Sequence, residues 1–147
     1  MNLPKFEHQT RKSEKGTLIF DTVRRKYVAL TPEEWVRQNF IQYLIQTKKT
    51  PQSLICVEMY LNLNGMSKRS DIVVFNRHGT PALAVECKAP RIKITQAVFD
   101  QLARYNLLLR VPYLAVTNGI CNIFCKYSDN AGIYSIIPDL PEYDSLE

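Results

Sequence analysis

Three charged residues interrupt two of the most apolar stretches of the chain. Asp71 opens the run Ile72-Val-Val-Phe75, and Glu86-Cys87-Lys88 closes the run Ala82-Leu-Ala-Val85. Unpaired charge in such a run is costly, which argues that these groups have partners or a task. Alternate strand residues share a face, so Glu86 and Lys88 point one way and Cys87 the other. Gly79-Thr80-Pro81 separates the two runs. If they pair as antiparallel neighbours, the start of the first lies beside the end of the second, and Asp71 comes within reach of Glu86 and Lys88. Two carboxylates and an ammonium at a sheet end suit Mg2+, which takes one or two carboxylates together with waters and phosphate oxygens. Mn2+ is expected to substitute. The ion supplies a nucleophilic water and stabilises charge on the phosphate under attack, while a nearby Lys orients the water or neutralises developing charge. The plainer alternative is an ion pair at a strand end, with Asp71 serving a turn.

The flanking elements must position this set. Thr31 is a good N-cap, Pro32 suits the first helical position, and Glu34 completes a capping box. A helix running to about Thr47 then places Val36, Phe40, Tyr43 and Leu44 on one face. Glu33 falls on the edge of that face and Glu34 points away, so the face argument favours Glu33 as a further carboxylate for the site. Both residues also gain from the helix N-terminus. Ser53–Leu61 reads as a strand and Asn64-Gly65 as a hairpin turn. Met66–Ser70 reads as a lead-in that carries Lys68 and Arg69 beside the site, where they are candidates for phosphate contact or ordinary loop charges. A second helix, about Gln96 to Leu109 with Thr95 as its cap, turns Val98, Leu102, Tyr105, Leu108 and Leu109 toward the core. Gln101 and Tyr105, four apart, stack on one of its faces. Val111–Thr117 and Ile120–Cys125 flank Asn118-Gly119, a two-residue hairpin signal. Tyr134–Ile137 is expected as a last edge strand.

These residues resemble a known family. Asp71, a two-strand spacer and Glu86-Cys87-Lys88 look like the D…E-x-K core of the PD-(D/E)XK nuclease superfamily. Gln101-Leu-Ala-Arg-Tyr105 resembles the Q-x-x-x-Y motif of its RecB-like and type I restriction branches. Pro32-Glu33-Glu34-Trp-Val-Arg37-Gln38 is similar to the first-helix segment of the N-terminal domain of type I restriction enzyme R subunits, and Arg69-Ser-Asp71, Glu86-Cys-Lys-Ala-Pro90 and Thr117-Asn118-Gly119 also fit that domain. The likeness runs from about Thr31 to Phe124. It implies that Asp71 and Glu86 bind metal with Glu33 (or Glu34) completing the set. It also implies that Lys88 positions the attacking water and that Gln101 and Tyr105 support the site, Gln101 through a phosphate or Lys88. Without the resemblance, Tyr105 reads as core and Gln101 as surface.

Composition sets the bounds. The chain has 147 residues, 46% apolar and 22% charged, the profile of one folded domain with a substantial core. A net charge of +5 permits nucleic-acid binding. Cys56, Cys87, Cys121 and Cys125 have no accompanying pair of Cys or His at zinc spacing, because His8 and His78 are isolated. The first residues lack the apolar core of a signal peptide and no run approaches a membrane span, so a cytoplasmic protein with reduced thiols is expected.

The expected fold is α/β, with a restriction-endonuclease-like mixed sheet flanked by helices. Residues 1–30 would form a mobile basic arm and a small hairpin, 31–127 the core, and 138–147 an acidic tail. The expected activity is metal-dependent hydrolysis of DNA phosphodiesters. A non-catalytic DNA-binding or assembly module is the rival reading, and a nuclease for RNA or branched DNA a third. No Gly-x4-Gly-Lys-Ser/Thr loop occurs, so translocation is not expected of this polypeptide. That leaves a stand-alone nuclease, one that works with a motor or specificity partner, or a remnant that binds without cutting. The sequence sets no oligomeric state, although a single nuclease centre cutting a duplex often needs a second copy, so a homodimer is a candidate.

Overall fold

A computed structural model describes residues 3–63, 65–107 and 110–146, with only the backbone of residues 63, 66, 105 and 107. Three short strands lead: β1 (Thr10–Ser13), β2 (Gly16–Asp21) and β3 (Lys26–Ala29). Helix α1 (Pro32–Gln46) follows, then β4 (Ile55–Leu63), β5 (Met66–Phe75), β6 (Pro81–Cys87), helix α2 (Gln96–Leu107), β7 (Tyr113–Thr117), β8 (Asn122–Ser128) and β9 (Ile133–Ile137). The leading strands form an antiparallel sheet of order β1-β2-β3, and the others a six-stranded sheet of order β4-β5-β6-β7-β8-β9. The β6–β7 pair alone among these neighbours is parallel. A parallel pair needs a long crossover, and α2 supplies it.

The near-continuous apolar runs are explained by burial on both faces of the six-stranded sheet. Ile72, Val74, Leu83, Val85 and Ala115 pack in one cluster with Val36, Phe40, Tyr43 and Leu44 of α1. The alternating residues Val73, Ala84 and Leu114 pack in a second cluster with Phe99 of α2. α1 begins where the capping box places it: Thr31 is extended, and its hydroxyl accepts the Glu34 N–H at 3.1 Å. α2 begins with the Thr95 hydroxyl accepting the Val98 N–H at 3.3 Å.

Several local expectations are corrected. The polar arm contributes β1, which extends the leading hairpin to three strands. Met66–Ser70 belongs to β5, because Leu61 pairs with Lys68 and Met59 with Ser70. The turn at Asn118 has four residues instead of two: the Asn118 side chain accepts the Ile120 and Cys121 N–H groups, an Asx geometry that competes with the tight turn. The acidic end is docked, with Leu140, Tyr143 and Leu146 buried in the core and Asp139 paired with Lys48 at 2.8 Å. The inward face of α2 centres on Phe99 and Asn106, with Leu102 and Ala103 partly buried. The expected Asn64-Gly65 turn includes a residue outside the described ones, as do Leu108 and Leu109.

Candidate functional site

The pairing of β5 with β6 is antiparallel with Ile72 opposite Val85, so the next position outward sets Asp71 beside Glu86. Asp71 is partly buried and holds two donors: Arg37 Nη2 at 3.2 Å on Oδ1 and the Cys87 backbone N–H at 2.8 Å on Oδ2. Glu86 pairs with Lys68 Nζ at 3.0 Å. Burial, and then the neighbouring Asp71 carboxylate, push the Glu86 carboxyl up to about 6 against the opposing pull of Lys68. Lys88 follows β6 and is partly buried, with its backbone N–H donating to Thr117 O at 2.8 Å. Asp71 in the middle of β5 and Glu86 near the end of β6 are therefore neighbours, and Lys88 follows Glu86 by two residues.

The two candidate helix carboxylates lie the other way round from the face argument. Glu34 faces inward, its side chain 9% exposed, whereas that of Glu33 is 48% exposed. Glu34 receives Arg24 Nη2 at 2.6 Å and Arg37 Nη1 at 3.0 Å. Glu33 stands 4.0 Å from Arg37 Nη2. Helical periodicity alone ranked them wrongly because the inward-facing surface at the start of α1 is ionic. Buried Asp21, Arg37 and Gln38 and partly buried Arg24 complete it, with Gln38 donating to Asp21 at 2.9 Å.

Of the cations expected to meet phosphate, Lys68 lies against Glu86, and Arg69 is exposed and paired with Glu58 at 3.0 Å. Gln101 is on the exposed side of α2, which packs against β7 and β9. Tyr105 belongs to the same helix, and its side chain lies outside the described residues.

Two functional candidates escaped the sequence reading. Arg37 is buried and lies within 4.0 Å of Glu33, Glu34, Glu58 and Asp71; burial opposes its charge, and Glu34, Asp71 and Glu58 outweigh that and hold the guanidinium charged. Glu58 on β4 is at the register position opposite Asp71, between the pairs Val57–Ile72 and Met59–Ser70, with φ of 54°. The signals for them were a cation three residues after Glu34 and an acid inside an apolar strand.

Among the described residues no group of three His, Cys, Asp or Glu side chains is arranged to hold a metal ion. The carboxylates that neighbour each other across β5 and β6 are Asp71 and Glu86, hard oxygens of the kind Mg2+ takes one or two of beside its waters. A cavity of about 490 Å3 lined by Asn76, Arg77, His78 and Tyr143 lies at the β5–β6 turn, the opposite end of these strands.

Residues 32–141 match the family model described as type I restriction enzyme R protein N terminus (HSDR_N). The chain belongs to this family. The matched span of the R-protein N terminus holds every candidate site residue and leaves out β1, β2 and β3. The chain also resembles the solved fragment of a putative HsdR subunit of a type I restriction enzyme from Vibrio vulnificus YJ016. The TM-score is 0.54 at 19% identity, over 81% of this chain and 25% of that one. At that identity the likeness is one of fold, and this R-protein N terminus spans about a quarter of that chain's length. No curated protein matches it.

Proposed function

We propose that this R-protein N terminus is a metal-dependent DNA endonuclease with a PD-(D/E)XK centre, acting in a restriction-modification system beside motor and specificity subunits. The observation that supports this reading is the register that sets Asp71, in the middle of β5, beside Glu86, near the end of β6 and two residues before Lys88. Magnesium, held by Asp71 and Glu86, would supply an activated water and charge stabilisation at the scissile phosphate. The chain's own residues do the rest. Arg37 and the Cys87 N–H fix the Asp71 carboxylate through separate oxygens, so its plane is set before substrate arrives. Lys68 offsets the charge on Glu86. Lys88 is the residue to orient the attacking water, since it stands beyond the strand that carries Glu86. Glu33, half-exposed on the first helical turn, is a further carboxylate that could approach the centre, as is Glu58 opposite Asp71.

The pairing of both central carboxylates with cations favours a second reading, a DNA-binding or assembly module that needs no metal. Cleavage of supercoiled plasmid, linear duplex, single-stranded DNA and RNA with Mg2+ or Mn2+, run beside Asp71→Ala and Lys88→Ala, decides between them. Nicking lost in both variants supports the nuclease. Absence of both cutting and calorimetric metal binding in the wild type removes it.

A further inference from the structure

The start of α1 reaches from the middle of β5 to the β7–β8 connection. Arg37 reaches Asp71 on β5, while the indole of Trp35 rests against Gly119 in the β7–β8 connection, where an added Cβ would meet Cζ3 at 3.3 Å. The strand order puts β6, with Glu86 and Lys88, between those two contacts. Around the Trp35 side of the site the surface changes character. Trp35 is 44% exposed, Ile120 55% and Ile92 39%. These are three of the six large apolar side chains that are exposed among the described residues. Ile92 belongs to the segment that follows Lys88, and the Asn118 side-chain amide donates to its carbonyl at 2.8 Å, fastening that segment to the loop that carries Ile120. Exposed Arg91 and Lys93 flank Ile92, and exposed Lys5 borders a cavity of about 380 Å3 lined also by Trp35, Phe6, Gly119 and Ile120.

Aromatic and aliphatic faces interleaved with cations are the chemistry of a surface for unpaired nucleobases: the rings stack while Lys and Arg follow the phosphates. A regular duplex hides its base faces and has no use for an indole. An apolar protein partner would leave Arg91, Lys93 and Lys5 without counter-charges. We infer that Trp35, with Ile120 and Ile92, forms a base-stacking platform beside Lys88 that receives an unpaired nucleotide of the DNA strand, so that the preferred substrate is single-stranded or frayed DNA. This rests on the reading of the protein as acting on DNA, and it adds the form of DNA recognised.

Trp35 is the protein's single tryptophan, so its emission reports on the platform alone. In EDTA, where nothing is cut, a single-stranded oligonucleotide should quench that emission saturably, at about ten-fold lower concentration than the same sequence as a blunt duplex. Trp35→Ala and, at a position where folding is not at stake, Ile120→Ser should each weaken single-strand binding about ten-fold in anisotropy of a labelled oligonucleotide. Three results would each overturn the platform: binding without any change in emission, equal quenching by duplex and single strand, or no oligonucleotide bound. A parallel cleavage assay with Mn2+ separates this inference from the nuclease. Cutting with unchanged emission refutes the platform and leaves the activity, whereas quenching without cutting does the reverse.

Discussion

Arg37 and Asp71 are joined at 3.2 Å across the gap between the first helix and the fifth strand, and the same guanidinium is clasped from behind by Glu34 at 3.0 Å. One buried cation thus couples the helix start to the centre of the candidate site. Replacing Arg37 with Gln leaves Glu34 buried with one partner fewer. The expected cost is about 3 kcal/mol of stability, the scale for breaking one side of a buried pair, measurable as a fall in the urea midpoint.

Glu34 and Glu33 should part company in mutagenesis. Glu34→Gln breaks buried pairs with Arg24 and Arg37 and should destabilise the protein by about 2 kcal/mol. Glu33→Gln touches an exposed group and should shift stability by less than about 0.5 kcal/mol. If Glu33 approaches the metal, its substitution instead weakens Mn2+ binding, read by calorimetry. Equal destabilisation by both would refute the assignment of Glu34 as the structural member.

Glu86 predicts a pH dependence with a definite sign. Its folded pKa, about 6, lies above the ordinary 4.5, raised first by burial and then by Asp71. The stabilisation it contributes is therefore complete below pH 4.5 and is lost as pH rises through about 6. The loss amounts to roughly 2 kcal/mol. Chemical denaturation between pH 4 and 7 should show that decline superimposed on the remaining groups, and Glu86→Gln should flatten it. Metal binding, which needs the ionised carboxylate, should strengthen over the same interval.

Lys88→Ala and Asp71→Ala should differ in what they remove. Without Lys88 the carboxylates remain, so metal affinity should hold while cleavage falls by about 100-fold or more. Without Asp71 both metal binding and cleavage should go. Isothermal calorimetry beside a plasmid-nicking time course gives the comparison, and loss of metal binding in Lys88→Ala would contradict the division of roles.

The chain's end is a structural part of the core. Tyr143 is buried, and its hydroxyl donates to Phe75 O at 2.9 Å. Tyr143→Ala should cost about 3 kcal/mol and lower the melting temperature. An unchanged midpoint would mean that the segment is detached in solution.

The pattern of residues was enough to specify the helix caps at Thr31 and Thr95, the doubly buried strands around Val73 and Ala84, and the meeting of Asp71 with Glu86. Each of these follows from short-range rules: a hydroxyl reaching an N–H three residues on, a two-residue strand period, and an antiparallel pair. The same pattern carried the family, because its motifs are spaced along the chain. What only the tertiary structure decided are the partners of charge. Glu34 turns inward because Arg24, from a strand connection ten residues earlier, and Arg37 meet it there. Lys68 faces Glu86, not solvent, because β5 starts at Met66, directly after the turn, and not at Asp71. Arg37 and Glu58 come to the site through register and helix placement, and Trp35 meets Gly119 across 84 residues (119 − 35) of chain. An apolar side chain can be assigned inward from local periodicity, since any apolar neighbour serves it. A buried charge is placed by one particular counter-charge, and that partner is chosen by the fold.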